Sequence, residues 1–356
     1  MNNKIVSLFS GCGGLDLGFK ERGFKIIWAN EYDKKIIPTF KHNFPKTKLD
    51  ERSISDIPME DIPDCVGIIG GPPCQSWSAA GSHRGIEDSR GQLFLEEYIK
   101  IVKHKKPKFF LAENVPGIKY KKHEDSFNMI LKNLKDIGYN ISYKVYNTHD
   151  YGVAQTRKRL VIVGYASGYE TFFELPDYEG DKIDLSVAIG HLKDNAVSAI
   201  GRTTPNPNCK KLNHEYMVTP EKKNSFHYMS RNRVRSWDEP SFTIPATGRH
   251  VPQHPQAPKM EPVFKNGKKV INVMEFKKGN KKLYRRLTIR ECAAIQGFAD
   301  GFEFKYNSLD HGYKMIGNAV PTKFASLIAK QISKDMKRLD NIKVSFKKLG
   351  KIKEIL

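Results

Sequence analysis

The stretch that decides the fold is Ile5-Val6-Ser7-Leu8-Phe9-Ser10-Gly11-Cys12-Gly13-Gly14-Leu15-Asp16. A short apolar run followed by glycines and then a helical pattern predicts a strand, a sharp turn and a helix. Glycines let the backbone turn tightly and approach a ligand where the carboxyl end of a strand meets the N-terminus of a helix. We therefore expect Ile5–Phe9 to be a strand of a sheet whose ligand edge lies at this loop.

The first half of the chain repeats this alternation. Further apolar runs predict the strands Lys25–Ala29, Val66–Ile69, Phe109–Ala112, Ile141–Val145 and Leu160–Gly164. Amphipathic stretches between them predict the helices Asp33–His42, Leu93–Lys103 and Phe127–Ile137. Strands that alternate with helices are typical of α/β proteins built on a doubly wound, mostly parallel sheet. We predict this fold class.

The alternation of strand and helix patterns ends after Gly164, and residues from about 175 to 280 are rich in Pro, Asn, Lys and Gly. This segment also holds aromatic residues and many arginines, which favours a smaller, irregular domain over a linker. Helical patterns return at Leu287–Gly297 and Pro321–Lys334. We predict a first domain of residues 1–175 plus 300–356 and a second of residues 176–299. The stretch Lys337–Leu356 reads as a solvated basic helix or tail.

Composition restricts the class of partner and the compartment. The 356 residues include 60 Lys and Arg against 39 Asp and Glu, a formal net charge of +21. This excess favours a polyanionic partner, although a merely basic enzyme is the alternative. The cysteines form no CxxC pair and no Cys/His metal spacing, which predicts free thiols and no metal site. With no signal-like or membrane-length apolar run, we expect a cytoplasmic protein, most simply a monomer, with no membrane partner.

An acidic residue stands where a nucleoside could be held. Glu31 closes the second predicted strand, 20 residues after Gly11. A carboxylate at this place can accept hydrogen bonds from both ribose hydroxyls. A plain tight turn is the alternative for the glycine loop alone, but Glu31 in register favours the nucleoside. The spacing does not match G-x-G-x-x-G, which argues against a nicotinamide cofactor.

A cysteine follows the strand Val66–Ile69 in the run Gly70-Gly71-Pro72-Pro73-Cys74-Gln75-Ser76-Trp77-Ser78. Two prolines fix the backbone and present the thiol on a rigid loop at the ligand edge of the sheet. A buried, inert cysteine is the alternative. Because only a thiolate attacks, the site must lower the thiol pKa, through a helix N-terminus or a nearby arginine.

Two further runs reach the same edge of the predicted sheet. Glu113 follows the strand Phe109–Ala112, and Gln155-Thr156-Arg157-Lys158-Arg159 precedes Leu160–Gly164. If the second run is extended, its alternate residues share one face. A lone glutamate or a surface pair of arginines carries no function by itself. Glu113, Arg157 and Arg159 together with Cys74 form a candidate catalytic set.

Taken together, these runs resemble a DNA (cytosine-5)-methyltransferase of the bacterial restriction–modification type. The matching runs occur in the family's order and span nearly the whole chain. They are Phe9–Gly14, Gly71-Pro72-Pro73-Cys74-Gln75, Glu113-Asn114-Val115, Gln155–Arg159, Arg286–Gly297 and Gly317-Asn318-Ala319-Val320-Pro321. The resemblance implies the methyl donor S-adenosylmethionine, the product S-adenosylhomocysteine, a double-stranded DNA substrate and no metal.

The resemblance also implies residue roles. Cys74 is the nucleophile towards carbon 6 of a flipped-out cytosine, Glu113 the partner of nitrogen 3 and the exocyclic amine, and Arg159 the donor to the base oxygen. Arg157 supports the same pocket. The implied cofactor residues are Phe9, Gly11, Gly13, Glu31, Tyr32, Pro73, Leu93 and Asn318. The family's adenine-binding Asp is replaced here by Ser53, which leaves that contact open to Asp50, Asp56 or a backbone carbonyl.

Arginines in the second predicted domain are candidates for reading the DNA sequence. They are Arg231, Arg233, Arg235 and Arg249. Arginine reads guanine in the major groove, whereas phosphate contact is the alternative. Arg233 and Arg235 share a face if the run is extended, which ranks this pair above Arg249. The run resembles that of enzymes that methylate the inner cytosine of GGCC, although the match weakens at His250-Val251-Pro252.

Three other functions remain to be separated. A transfer-RNA cytosine methyltransferase shares most of these motifs, but the long basic segment favours duplex DNA. A non-catalytic DNA-binding protein on the same scaffold is disfavoured by Cys74, Glu113 and Arg159. A Rossmann oxidoreductase is remote. The sequence leaves open whether a restriction endonuclease acts on the same site without contacting this chain.

Overall fold

The computed structural model describes residues 3–73, 94–218, 226–340, 346 and 349–355. The chain divides into two compact units. The first comprises Met1–Tyr151, Lys158–Glu179 and Thr322–Leu356, and the second comprises Gly152–Arg157 and Gly180–Pro321. Residues 300–321, which the sequence placed in the first domain, thus fall in the second unit. They do so because the helix Leu309–Asn318 packs against the helix Ile289–Ile295.

The strands are numbered in chain order through both units. They are β1 Lys4–Leu8, β2 Lys25–Asn30, β3 Lys48–Asp50, β4 Gly67–Gly70, β5 Phe109–Asn114, β6 Tyr139–Asn147, β7 Lys158–Ala166, β8 Val197–Ser198, β9 Glu215–Tyr216, β10 Glu261–Lys265, β11 Lys268–Glu275 and β12 Ile352–Glu354. The helices are α1 Gly14–Glu21, α2 Ile37–Asn43, α3 Ile99–Lys105, α4 Glu124–Asp136, α5 Leu185–Ile189, α6 Phe226–Met229, α7 Ile289–Ile295, α8 Leu309–Asn318 and α9 Thr322–Leu339. A turn of π-helix, Phe94–Tyr98, leads into α3.

The first unit is built on an eight-stranded sheet in the order β12-β6-β7-β5-β4-β1-β2-β3. Its strand pairs are parallel except where β7 runs antiparallel to β5 and β6. The predicted doubly wound, mostly parallel sheet is therefore confirmed. The chain winds outward from β1 in both directions, so the carboxyl ends of β1 and β4 flank the point where an open α/β sheet binds its ligand.

Helices cover both faces of this sheet. Phe109 and Phe110 are neighbours in β5 and must point to opposite faces. Phe109 stacks on Phe19 of α1 at 6.5 Å between ring centroids, and Phe110 packs edge-on against Tyr98 at 6.4 Å. Helix α1 also packs closely on α9, since a Cβ at Gly18 would lie 2.5 Å from Ala325 Cβ. Both faces are buried, as parallel strands require.

The stretch Lys337–Leu356 is not simply a solvated helix or tail. Helix α9 ends at Leu339, and β12 pairs in parallel with β6 at the edge of the sheet. The ring of Phe346 lies 5.5 Å from that of Tyr139, and Ile355 is buried. Lysines flanking a three-residue edge strand concealed this strand in the sequence.

The second unit has little regular structure in its described residues. Strands β10 and β11 form an antiparallel hairpin, and β8 pairs with β9. The predicted helix Leu287–Gly297 is present as α7, where Thr288 and Glu291 form a capping box. Such a box satisfies two backbone donors at the helix start and fixes where the helix begins.

Candidate active site and DNA-reading segments

The loop after β1 forms a cradle at the ligand edge of the sheet. Phe9, Gly11 and Gly13 have φ of +53°, +57° and +90°. A Cβ at Gly13 would lie 2.2 Å from the ring of Phe44, so only glycine fits there. A Cβ at Gly11 would meet no atom within 4 Å. Gly11 thus combines a left-handed backbone with open space into which a ligand could be received.

Glu31 connects this cradle to the end of β2. The Gly11 N–H donates to Glu31 Oε2 at 3.0 Å, and the Asp33 N–H donates to Oε1 at 2.8 Å. The side chain is buried, and this burial raises the pKa of the carboxyl above its ordinary value. The hydrogen bonds from the Asp33 and Gly11 N–H groups lower the pKa, but burial has the larger effect. Each carboxylate oxygen has a second lone pair. The arrangement fits the hydroxyls of a ribose placed over Gly11.

The next position outward is suited to a base. Tyr32 follows Glu31 and is 61% exposed, which leaves a ring face for stacking. Asp50, at the end of β3, is engaged by Arg52, whose Nε and Nη2 donate to its two carboxylate oxygens at 3.0 and 2.6 Å. These bonds hold the pKa of Asp50 below its usual value. Asp50 therefore already binds Arg52 through both carboxylate oxygens, and Ser53 lies at the start of the following turn, Ile54–Asp56.

Glu113 and Arg159 are brought together by neighbouring strands. Glu113 lies near the end of β5 and Arg159 near the start of the antiparallel β7. Arg159 Nε is 2.8 Å from Glu113 Oε1, and the two side chains are only 13% and 10% exposed. Glu113 and Arg159, which the sequence placed at this edge as separate candidates, thus form a largely buried ion pair.

The loop that leads to Cys74 lies against the same pair. A Cβ at Gly71 would lie 3.5 Å from Glu113 Oε2, and Asn114 Nδ2 donates to the carbonyl of Pro72 at 3.2 Å. Asn114 was quoted in the sequence only as part of a motif, and its side chain holds the proline loop to β5. Pro73 is the last residue described before a gap. Cys74 and Leu93, a predicted nucleophile and a predicted cofactor residue, lie outside the described residues.

The cysteines that the structure does describe are poor nucleophiles. Burial raises the pKa of the Cys12 thiol to about 12, and it does the same for Cys65. The pKa values of Cys209 and Cys292 are also raised by burial. A thiol with such a pKa is almost entirely protonated at neutral pH. None of these described cysteines competes for the role predicted for Cys74.

In the second unit, Arg157 supports the turn that carries Asn318. Arg157 is 1% exposed, and its guanidinium donates to the carbonyls of Ile244, Gly317 and Ala319 at 3.3, 2.8 and 3.0 Å. Asn318 is exposed at the end of α8. Arg157 therefore binds the carbonyls on both sides of Asn318 within the second unit, and its predicted support of the base pocket stays a prediction.

The four candidate reading arginines differ in exposure. Arg231 and Arg249 are exposed. Arg233 is 4% exposed, donates from Nε to the carbonyl of Tyr228 at 2.8 Å, and lies 4.8 Å from the centre of that ring. Arg235 is paired with Glu239 at 3.0 Å. Burial reverses the ranking made from the sequence, since Arg249 is better placed than Arg233 to meet a partner.

Tyr228 and Arg286 link the segments that carry Arg231 and Arg249. Arg286 donates to the carbonyls of Gly248 and Arg249 at 2.7 and 3.2 Å, and its guanidinium lies 5.3 Å from the ring of Tyr228. The Tyr228 hydroxyl donates to the carbonyl of Val251 at 3.1 Å. Burial lowers the pKa of Arg233, and the charge of neighbouring Arg231 adds to the lowering. This concentration of positive charge suits an anionic partner.

Neither a metal cluster nor a membrane-spanning helix occurs among the described residues 3–73, 94–218, 226–340, 346 and 349–355. Within those ranges no cluster of His, Cys, Asp and Glu could hold a metal ion. No helix there is both long and apolar enough to cross a membrane.

Comparison with known proteins identifies the chain's relatives. The family model for C-5 cytosine-specific DNA methylases matches residues 3–334. The chain is 50% identical over 342 residues to the Type II methyltransferase M.NgoPII of Neisseria gonorrhoeae, covering 94% of this chain and 96% of the relative. It is 49% identical to M.FnuDI of Fusobacterium nucleatum, covering 96% and 97%. The solved Entamoeba histolytica methyltransferase EhMeth shares the fold, with a TM-score of 0.65 at 18% identity over 95% and 99% of the two chains.

The fold and the ligand edge define an α/β methyltransferase. The chain belongs to the C-5 cytosine-specific DNA methylase family, because the family model covers nearly all of it and its relatives reach half identity. The resemblance found in the sequence is confirmed. The protein is a DNA (cytosine-5-)-methyltransferase, and the family implies S-adenosylmethionine as the methyl donor.

Proposed function

We propose that this enzyme methylates carbon 5 of a cytosine flipped out of duplex DNA, through a covalent bond between Cys74 and carbon 6 of the base. The observation that carries the proposal is the Glu113–Arg159 ion pair, which lies beside the proline loop leading to Cys74. A base inside a duplex hides carbon 6 from any side chain, so the cytosine must leave the stack before attack.

The chemistry follows from the weak nucleophilicity of carbon 5. The Cys74 thiolate forms a bond to carbon 6, and the electron pair of the 5,6 double bond moves towards carbon 5 and the ring. Glu113, in its protonated form, donates its proton to nitrogen 3 and accepts a hydrogen bond from the exocyclic amine, and Arg159 donates to the base oxygen, so both stabilise the charge that develops. Carbon 5 then uses this electron pair to bond the methyl group, which S-adenosylmethionine would supply as its methyl–sulfur bond breaks and leaves the bonding pair on sulfur. A base, for which the family suggests a water, then removes the carbon 5 proton, and the bond between carbon 6 and the Cys74 sulfur breaks to restore the ring.

The cofactor residues of the proposal are those of the sequence resemblance. S-Adenosylmethionine supplies the methyl group and is released as S-adenosylhomocysteine. Glu31 accepts from the ribose hydroxyls over the open space at Gly11, and Tyr32 packs on the adenine. The methionine part and the rest of the pocket are assigned to Phe9, Gly13, Pro73, Leu93 and Asn318.

In sequence recognition, Arg231 and Arg249 contact the bases, since both side chains are exposed. Arg233 and Arg235 support them in the structure described and approach the DNA only if they leave Tyr228 and Glu239. GGCC is proposed as the target because the Asn232-Arg233-Val234-Arg235 run and His254-Pro255-Gln256-Ala257-Pro258 resemble enzymes with that target. The enzyme would then protect host DNA in a restriction–modification system.

One experiment tests the core of this proposal. Purified enzyme and its Cys74→Ser variant are given labelled S-adenosylmethionine with a GGCC duplex, a scrambled duplex and transfer RNA. We expect label in the GGCC duplex for the wild-type enzyme alone, and a covalent complex at Cys74 when the target carries 5-fluorocytosine. Label in transfer RNA, normal turnover by Cys74→Ser, or an adduct on another cysteine would contradict the proposal. Bisulfite sequencing of plasmid from expressing cells identifies the methylated site.

A further inference from the structure

A lysine-rich hairpin projects from the second unit. We use "lysine hairpin" for residues 261–282, which contain β10, β11 and the turn after them. The segment holds seven lysines against two glutamates, and no acidic residue occurs between Pro262 and Met274. All seven lysines are exposed, at positions 265, 268, 269, 277, 278, 281 and 282. The family motifs quoted above do not include this segment.

The geometry of the hairpin concentrates charge at its tip. Asn266 and Gly267 have φ of +50° and +73°, as a tight hairpin turn requires. Lys265 therefore lies directly opposite Lys268, and Phe264 lies opposite Lys269. Like charges that face each other across two strands destabilise a hairpin. A polyanion at the tip would remove this repulsion.

The base of the hairpin is fixed to the arginine segment. Met274, Phe276 and Tyr284 pack against the buried cluster of Val234, Ala257 and Met260. Val234 lies between Arg233 and Arg235 in the chain. The Met260 N–H also donates to Asn232 Oδ1 at 2.9 Å, while Asn232 Nδ2 donates to the carbonyl of Val234 at 2.7 Å. Any DNA held by the arginine segment would thus have the hairpin beside it.

We propose that the lysine hairpin is a second DNA contact, in which Lys265, Lys268 and Lys269 bind backbone phosphates outside the recognised sequence. This inference rests on the proposed function, since it takes duplex DNA as the substrate. Lysine offers a flexible point charge suited to phosphate, whereas arginine's planar fork suits base edges. The hairpin adds affinity for any duplex, and the exposed arginines supply the choice of sequence.

The length of the hairpin sets how far this contact reaches. Five residues separate Met274, at the base, from Lys269, near the tip. At about 3.4 Å per residue in an antiparallel strand, the tip extends roughly 17 Å from the base. Because base pairs repeat about every 3.4 Å along the duplex, this length equals about five base pairs, so a hairpin that follows the duplex contacts phosphates up to that far from the arginine segment.

The test variant is Lys265→Gln, Lys268→Gln, Lys269→Gln, and the matched control is Lys330→Gln, Lys334→Gln, Lys337→Gln. Both remove three exposed lysines. The control lysines lie on α9 between its middle and its last turn, and near that last turn Ser333, Met336 and Lys337 line a cavity with Asn3 and Val66. Those two residues precede β1 and β4, so this is the edge of the sheet opposite Glu31 and Glu113.

Binding is measured over a series of salt concentrations, on one duplex with about two flanking base pairs and one with about ten on each side. On the long duplex, we expect the hairpin variant to bind about tenfold less tightly at low salt. Its slope of log affinity against log salt should fall by two to three units, at about 0.9 per lost phosphate contact. On the short duplex the hairpin variant should match wild type, and the control variant should match wild type on both. The preference for target over scrambled DNA should be unchanged.

Three results would overturn the inference. They are an unchanged salt slope for the hairpin variant, an equal loss on the short and long duplexes, and an equal loss in the control variant. Failure of the proposed function is distinguishable, because wild-type enzyme would then transfer no methyl group to any duplex. Thermal unfolding of both variants checks that exposed substitutions leave the fold intact.

Discussion

In the first unit, the candidate catalytic side chains come from the ends of strands, whereas in the second unit the candidate reading side chains come from irregular segments. Strand ends are positioned by the ladder of backbone hydrogen bonds, so Glu113 and Arg159 meet because β5 and β7 are paired. Among the described residues around Arg231 and Arg249, the backbone forms isolated bridges, such as Val234 with Gln253, and no extended ladder. There, buried arginines bind backbone carbonyls, as Arg286 does at Gly248 and Arg249.

Arg157 and Arg159, only two residues apart, show the same contrast between a backbone-holding side chain and a side chain at the ligand edge. Arg159 lies in β7 and pairs with a carboxylate at the ligand edge. Arg157 is buried and holds three carbonyls of the second unit. An arginine in a motif can therefore act at the reacting base or hold the backbone in place. The groups that it contacts distinguish the two roles. The predictions below test that division.

The largest effect is expected at the ion pair. Arg159→Ala or Glu113→Gln should lower kcat by about 10²–10³-fold, because each removes a group that stabilises charge on the reacting base. The affinity for S-adenosylmethionine should change by less than about twofold, since Glu31 and Gly11 are untouched. Single-turnover methylation and calorimetry measure the two quantities. Near-normal turnover in both variants would remove the pair from the mechanism.

The next effect concerns stability. Arg157→Ala should lower the free energy of unfolding by about 3 kcal/mol, because it leaves buried carbonyls without a donor. Arg249→Ala, which removes an exposed arginine of the same unit, is the control and should cost less than about 0.5 kcal/mol. Urea denaturation measures both. If Arg157→Ala kept full stability and lost only activity, the contrast between the two arginines would fail.

The sequence located the strand-end residues well because periodicity finds strands and topology brings their carboxyl ends together. Phe9–Gly13, Glu31 and Glu113 all lie at the edge expected of them. It could not rank the arginines, because the burial of Arg233 depends on Tyr228, whose contact no spacing reveals. It also missed β3, β12 and the hairpin, which are short, at an edge, or rich in lysine. Such strands bury too little apolar side-chain surface to show an alternating apolar pattern in the sequence.

A smaller effect is expected in sequence choice. Arg249→Ala or Arg231→Ala should cost about 1–3 kcal/mol on the target duplex and little on scrambled DNA, with relaxed choice at one base pair. Arg233→Lys should instead weaken both duplexes together and lower stability, because lysine cannot stack on Tyr228 and bind its carbonyl in the same way. Competition binding with single-substitution duplexes measures this. If Arg231→Ala and Arg249→Ala lowered the affinity for target and scrambled duplexes equally, both arginines would contact backbone phosphates and not bases.

The smallest effect concerns pH and the cradle of the first unit. Because burial raises the pKa of Glu31, its carboxyl takes up a proton at a higher pH than an ordinary glutamate does. The protonated form accepts hydrogen bonds poorly, whereas ribose hydroxyls need the ionised form as acceptor. Affinity for S-adenosylmethionine should therefore be full above the raised pKa and should fall, by a few-fold, as pH drops through it. At a pH below the raised pKa, binding of S-adenosylmethionine should release the proton from the Glu31 carboxyl.

Glu31→Gln separates this titration from any other. Glutamine keeps the shape and one acceptor but does not ionise, so its affinity should be about tenfold weaker at pH 8, from the loss of charge-assisted hydrogen bonds. It should also show no fall on acidification. Calorimetry between pH 5.5 and 8, in buffers of different ionisation enthalpy, gives both the affinity and the proton count. If the variant kept the wild-type pH dependence, the titrating group would lie elsewhere and the ribose assignment of Glu31 would lose its support.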